Sequence, residues 1–178
     1  MSRAIALLAA SKAVANVGTL EEGENRGKAV EAYQASCKPP IPPGSPWCAA
    51  FVRFRMKSAA TELGITYDTT FPRSGYTPDW STWGKKNSKW VSASDAKANP
   101  SKIRVGDCAL FYFSQLGRIG HIGIVVEVHD WGVWTVEGNT SPEPSDDTCV
   151  ERDGDGVFKK KRNWSELGQF GGFVLVDF

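Results

Sequence analysis

The chain changes from loop to helix at Pro46-Trp47-Cys48-Ala49-Ala50-Phe51-Val52. The proline-rich segment 39–46 cannot be helical, because proline lacks the amide hydrogen that a helix needs and restricts the residue before it. Apolar residues at helical spacing continue to Leu63, so we predict a helix that begins at Cys48. A cysteine on the first turn of a helix lies at the positive end of the helix dipole, which stabilises the thiolate over the thiol. Cys48 is therefore a candidate nucleophile.

The apolar side of this predicted helix is the side that carries Cys48. Val52, Met56, Ala59, Ala60 and Leu63 share it. Arg53 and Lys57 are predicted on the opposite side of the helix. Arg55 does not fit the pattern, because it falls near the Cys48 side.

Helical patterns come first in the chain and strand patterns follow. We predict helices at 3–17 and 27–36 before the Cys48 helix, and mostly loop with at most one short helix over 65–100. Strands are predicted at 107–113, 119–128, 133–137, about 157–161 and 172–177. Helices followed by consecutive strands favour an α+β fold with N-terminal helices packed on an antiparallel sheet. A length of 178 residues suits a single domain over 1–178.

One histidine stands near the start of the predicted strand from Ile119. Alternation along a strand places Ile122 and Ile124 on one face and His121 and Gly123 on the other. The face with the isoleucines is apolar and is predicted to lie in the core. A lone histidine on a strand is more often structural than catalytic, so the interpretation of His121 depends on which residues share its face.

The next strand supplies candidate partners for His121. Asp130-Trp131-Gly132 is a three-residue loop with glycine last, which is typical of a hairpin with a type I turn and a left-handed glycine. That register pairs 129 with 133 and 123 with 139, and it places His121, Glu137 and Asn139 on one face. A four-residue loop would place Glu137 on the opposite face.

Cys48, His121 and Glu137 then form a nucleophile, a base and a residue that orients the base. A carboxylate stabilises an imidazolium better than an amide does, so Glu137 is the expected partner of His121. Asn139 would be a second polar contact or a substrate ligand. The Cys48 backbone N–H is the expected first oxyanion donor, with Tyr33, Gln34 and Ser45 as candidates for the second. The structural alternatives are a solvent-exposed strand end for Glu137 and a turn residue for Asn139.

Five blocks of the sequence, in order, resemble the CHAP family of cysteine, histidine-dependent amidohydrolases/peptidases. They are Tyr33, Pro43-Gly44-Ser45-Pro46-Trp47-Cys48-Ala49-Ala50-Phe51-Val52, Val105-Gly106-Asp107, Gly120-His121-Ile122-Gly123-Ile124-Val125 and Glu137-Gly138-Asn139. The resemblance extends from about residue 4 to the end of the chain. It implies a papain-like fold and peptides of bacterial peptidoglycan as substrates. It also implies that Cys48 is the nucleophile and His121 the base, and that Glu137 and Asn139 are the remaining polar residues of the catalytic site. Arg55 departs from the family pattern, and no attached wall-binding domain is seen.

We therefore expect a cysteine hydrolase that cuts amide bonds in the peptide part of peptidoglycan and lyses the cell wall. Two alternatives stay open: a thiol acyltransferase on the same fold, and a non-enzymatic wall-binding module. The expected place of action is the bacterial cell wall or periplasm. Residues 1–15 resemble a signal peptide only faintly, because Lys12 interrupts a short apolar run, so export by a secretion system or release by lysis is expected. We expect a monomer, with an inhibitor or immunity protein as a further candidate partner.

Composition excludes several other classes of protein. A formal net charge of +1 argues against a nucleic-acid partner, and no apolar run is long enough to span a membrane. No cofactor or metal is expected, because the cysteines and histidines lack metal-ligand spacing and Asp153-Gly154-Asp155-Gly156 reads as a plain turn rather than a calcium loop. Cys108 is predicted to be an inert thiol of the core. Cys37 and Cys149 could form a disulfide in an oxidising compartment. The basic segment 159–162 is predicted to be a solvated edge.

Overall fold

The computed structural model describes residues 3–67, 71–142 and 154–177. Within these ranges the helices are α1 (Ala4–Val14), α2 (Lys28–Ala35), α3 (Cys48–Glu62), α4 (Thr77–Lys86) and α5 (Ala93–Ala98). The strands are β1 (Trp90–Ser92), β2 (Cys108–Phe113), β3 (Arg118–His129), β4 (Gly132–Thr140), β5 (Gly156–Asn163) and β6 (Gly172–Val174). They form one sheet in the order β1-β6-β2-β3-β4-β5, and all neighbouring strands run antiparallel. The predicted α+β class with an antiparallel sheet is confirmed.

The prediction of mostly loop over 65–100 was wrong. This segment contains α4, β1 and α5, and β1 exists because it pairs with β6, some eighty residues later in the chain. A three-residue strand carries almost no local signal of its own, since its stability comes from the strand beside it. None of the helices in the described ranges is long and apolar enough to cross a membrane.

Helix α3 is covered on nearly all sides. Arg53, predicted on the side opposite Cys48, is fully buried, because α2 and the segment around Pro72 cover it. Its Nε donates a hydrogen bond to the Ser36 carbonyl at 2.6 Å. Arg55 is also buried, and its guanidinium lies over the rings of Phe54 at 4.6 Å and Tyr33 at 5.3 Å, so cation–π contacts accommodate this charge.

The β3–β4 hairpin differs from the predicted register. His129 pairs with Gly132, so Asp130 and Trp131 form a two-residue turn, and a β-bulge at Val126 then shifts the pairing by one residue. Gly123 therefore lies opposite Glu137, and not opposite 139 as predicted. The short turn alone would have put Glu137 on the wrong face of the sheet, and the bulge reverses that flip. Glu137 thus shares a face with His121 although the predicted pairing was wrong.

Candidate active site

Cys48 lies at the N-terminus of α3, at the base of a cleft of about 350 Å³. Cys48 is only 6% exposed, because the segment 39–46 and the chain before α4 form walls of the cleft. The helix places the thiol where the first backbone N–H groups have no partners inside the helix. This position favours a negatively charged sulfur and a negatively charged oxygen beside it.

His121 is fully buried on β3, and its Nε2 lies 2.8 Å from Oε2 of Glu137. Its other ring nitrogen, Nδ1, has no hydrogen-bond partner within the part of the chain that the structure describes. The Cys48 thiol is nevertheless close enough to raise the affinity of the ring for a proton. Because Nε2 is held by Glu137, Nδ1 is the nitrogen left for the thiol.

The charges around the imidazole keep it protonated at neutral pH. Burial disfavours the cation, but the charge of Glu137, the nearby Cys48 thiol and the hydrogen bond with Glu137 outweigh it and raise the pKa of His121 to about 9. Burial would likewise raise the pKa of Glu137, yet the Arg162 guanidinium and then His121 hold it well below its usual range. His121 and Glu137 therefore form a buried ion pair.

Arg162 on β5 holds the Glu137 carboxylate with two hydrogen bonds. Its Nε donates to Oε1 at 2.8 Å and its Nη2 donates to Oε2 at 2.7 Å, while the Thr135 hydroxyl donates to Oε1 at 2.5 Å. The guanidinium also lies over the Phe111 ring, 5.2 Å from its centroid, and that ring packs against His121. Such a two-pronged contact fixes both the charge and the direction of the carboxylate.

The two residues after Glu137 connect this network to the start of α3. Asn139 Oδ1 accepts a hydrogen bond from the Trp47 backbone N–H at 3.2 Å. Asn139 has a φ of 60°, a left-handed conformation that asparagine tolerates better than most residues. At Gly138, a Cβ atom would lie 2.6 Å from the Trp47 ring and 2.8 Å from Phe51. Glycine therefore allows β4 to approach α3 closely, and Glu137-Gly138-Asn139 positions the histidine and the cysteine together.

The sequence model described as the CHAP domain matches residues 41–139, more than half of the chain. The chain belongs to the CHAP family. Comparison with curated proteins gives no match, and comparison with solved structures gives none. Membership implies a hydrolase of the amidase or peptidase type, and the helices with their antiparallel sheet are consistent with the papain-like CHAP fold. The matched range contains Cys48, His121 and Glu137, ends at Asn139, and does not include Arg162.

Arg162 and Thr135 are the site residues of this CHAP chain that sequence reasoning missed. The expectation of a solvated edge over 159–162 was wrong, because Lys160 and Arg162 are buried while Lys161 is exposed. The two buried cations alternate with the exposed one, as the faces of a strand require. That alternation is the signal that could have placed Arg162 on an inner face, although not its pairing with Glu137.

Of the three candidates for a second oxyanion donor, Ser45 alone lines the cleft with Cys48. The Gln34 amide nitrogen donates to the carbonyls of Asn25 and Ser45, so it holds the cleft wall from behind. Tyr33 lies in the core, where its hydroxyl donates to Asn16.

The other candidate sites lie apart from this cleft or beyond the described residues. A depression of about 600 Å³ lies between α2 and α3 and contains none of the candidate catalytic residues. In the part of the chain that the structure describes, no group of three or more His, Cys, Asp or Glu residues could hold a metal ion. Cys149 and Asp153 lie outside the described residues, so the Cys37–Cys149 disulfide and the turn at 153–156 stay predictions.

Proposed function

We propose that this protein is a cysteine hydrolase that cleaves amide bonds in the peptide part of bacterial peptidoglycan. The observation that carries the proposal is the placement of Cys48 at a helix N-terminus beside His121, whose far nitrogen is held by Glu137. Family membership supports a hydrolase of this type, and the cleft beside Cys48 supplies a place for the substrate.

In the proposed reaction the proton of the Cys48 thiol already lies on His121 Nδ1, so the reaction starts from a thiolate beside an imidazolium. The thiolate attacks the amide carbonyl carbon, and the carbonyl oxygen becomes an oxyanion near the Cys48 backbone N–H. The imidazolium then gives its proton to the leaving nitrogen as the C–N bond breaks, which leaves a thioester on Cys48. His121 takes a proton from water, the hydroxide attacks the thioester, and the carboxylic acid leaves as the Cys48 thiolate and the His121 imidazolium are restored.

Glu137 and Arg162 act on this reaction through His121. Glu137 stabilises the imidazolium and fixes Nε2, which leaves Nδ1 directed to the sulfur. Arg162 is a positioning residue, because it touches the carboxylate and lies against the Phe111 ring that packs on His121. Asn139 positions the nucleophile by its hydrogen bond to the Trp47 backbone.

The two alternative functions predict different products. A thiol acyltransferase would form the same thioester but pass the acyl group to an alcohol or amine. The cleft walls combine the apolar side chains of Pro39 and Ile41 with the polar side chains of Ser45, Thr77 and Arg118, and this mixture suits a peptide better than a fatty acyl chain. A binding module would have no use for a buried Cys–His–Glu arrangement, whose charges are costly to bury. The proposed place of action is the cell wall or periplasm, reached through a secretion system or by lysis.

The test is digestion of purified peptidoglycan with wild-type protein and with Cys48→Ala, followed by mass spectrometry of the released fragments. We expect fragments that gain one water across an amide bond, with a new amine and a new carboxylate, from the wild type alone. Fragments joined to an added amine or alcohol would favour the acyltransferase. Intact peptidoglycan after incubation with the folded wild type would argue for the binding module.

A further inference from the structure

The cleft beside Cys48 has one charged wall. Ser45, Tyr76, Thr77, Arg118 and Gly120 all line it. Among the described lining residues Arg118 alone carries a charge, so a ligand that fills the cleft meets the thiol and a guanidinium together. A volume of about 350 Å³ is at the lower end of small-ligand sites, so a short peptide segment would contact both groups.

Two contacts hold the Arg118 side chain in place. Its Nη1 donates to the Ile119 carbonyl at 2.9 Å, and its guanidinium lies 5.2 Å from the centroid of the Tyr76 ring. The Thr77 hydroxyl donates to the same carbonyl at 2.9 Å, which ties the start of α4 to β3. No carboxylate of the described residues forms an ion pair with Arg118. Arg162, by contrast, forms ion pairs with Glu137 and Glu166.

We propose that Arg118 binds a carboxylate of the substrate peptide, so that the enzyme prefers amide bonds close to a residue with a free carboxylate. This inference rests on the proposed hydrolase function and narrows its substrate class. A fixed guanidinium offers paired N–H donors that match the geometry of a carboxylate. Tyr76 is half exposed and supports the flat face of the guanidinium, so little side-chain freedom is lost when the carboxylate binds.

The first test measures the charge beside Cys48 without any hydrolysis. Iodoacetate and iodoacetamide alkylate a thiolate by the same displacement of iodide, but only iodoacetate carries a carboxylate. We expect the ratio of their rates at Cys48, followed by mass spectrometry of the Cys48 peptide, to fall about three- to tenfold in Arg118→Gln. Arg118→Lys keeps the positive charge and should retain most of the ratio. Arg104→Gln removes an equal charge that pairs with Asp177 away from the cleft, so its ratio should match the wild type.

The second test uses peptides that differ in one group, a free carboxylate or its carboxamide beside the scissile amide. The wild type should cleave the carboxylate form about tenfold better in kcat/KM, mainly through a lower KM. Arg118→Gln should lower kcat/KM for the carboxylate form more than for the carboxamide form, so that the preference is lost, and added salt should reduce the preference in the wild type.

The two tests separate the failure of this inference from failure of the proposed function. An Arg118→Gln protein with the wild-type alkylation ratio and the wild-type peptide preference overturns the role of Arg118, while hydrolysis of either peptide still supports the hydrolase. A lowered alkylation ratio together with no cleavage of any peptide or wall overturns the proposed hydrolysis, and supports an anion site beside the thiol.

Discussion

The two faces of the central strands are equally buried, but they contain different chemistry. On the face that packs on α3, Ile122, Ile124 and Val136 join the apolar core with no exposed surface. On the other face, the adjacent positions carry His121 and Glu137, which are just as buried.

The difference shows which face serves stability and which serves the proposed chemistry. Removing charges from water costs more than their mutual attraction usually returns, so buried ion pairs are weak evidence for stability. Here each charge has a partner, because Arg162 holds Glu137 and Glu137 holds His121. We infer that the apolar face stabilises the fold, and that the ionic face is retained because it positions the imidazole against Cys48.

The largest effect is expected where the ionic face meets the start of α3. Cys48→Ala should lower peptidoglycan hydrolysis by about a thousandfold or more and leave the circular dichroism spectrum unchanged. His121→Ala should cost nearly as much, and the double variant should show no further loss, because the two residues act as one unit. Cys108→Ala removes a buried thiol of the apolar core and should retain the chemistry. Full activity in Cys48→Ala would end the hydrolase hypothesis.

The next effect separates stability from chemistry within the ionic face. Arg162→Met should leave Glu137 with one cation fewer and destabilise the fold by about 3–5 kcal/mol in urea unfolding. Glu137→Gln should be destabilising because it removes the fully buried counterion of Arg162 and leaves only the more exposed Glu166 carboxylate, 3.3 Å from Nη1. It should also reduce hydrolysis by about a hundredfold.

The double variant Glu137→Gln/Arg162→Met sharpens this prediction. It should be more stable than the sum of the two single losses predicts, because both charges are removed together. Activity should not recover with stability. If activity returned along with stability, the carboxylate would have no role in the reaction.

The apolar face should show the opposite pattern. Ile124→Ala should lower the free energy of unfolding by about 2–5 kcal/mol, because it leaves a cavity next to α3. The kcat/KM of the folded fraction at low temperature should stay within about threefold of the wild type. A loss of activity similar to that of Glu137→Gln would show that the two faces do not divide the roles as we infer.

The pH dependence follows from the raised pKa of His121, about 9. The imidazolium must be present to protonate the leaving nitrogen, so kcat/KM should fall as pH rises through about 9. A histidine whose pKa is raised by folding stabilises the protein fully below its ordinary value of about 6.5, and this contribution disappears as pH rises through about 9. Both changes should move to lower pH in Glu137→Gln, because the anion that raises the pKa is gone. If kcat/KM of Glu137→Gln fell at the same high pH as that of the wild type, the raised pKa would not belong to a His121 paired with Glu137.

The smallest effect is a difference in labelling among the thiols. Iodoacetamide should modify Cys48 before Cys37 and Cys108 at neutral pH, as read by peptide mass spectrometry. Burial raises the pKa of the Cys37 thiol, and burial together with the charge of Asp107 raises that of Cys108. Faster labelling of Cys37 than of an accessible Cys48 would contradict the proposed pairing of Cys48 with His121.

The sequence alone determined the features that depend on neighbours along the chain. The proline-rich segment and the helical spacing after it predicted that α3 begins at Cys48, because helix initiation is a local property. Apolar alternation predicted the long strands, and their order in the chain predicted an antiparallel sheet. The blocks around Cys48, His121 and Glu137 were enough to predict the family.

Only the tertiary structure decided how these elements meet. The face of Glu137 depended on a short turn and a bulge at Val126, two local shifts that cancel and that the hairpin sequence did not reveal. The pairing of Arg162 with Glu137 joins residues 25 positions apart through the β4–β5 register, and the cleft between Cys48 and Arg118 joins α3 to β3. Buried charges are selected by what lies opposite them in space, and a linear pattern does not contain that information.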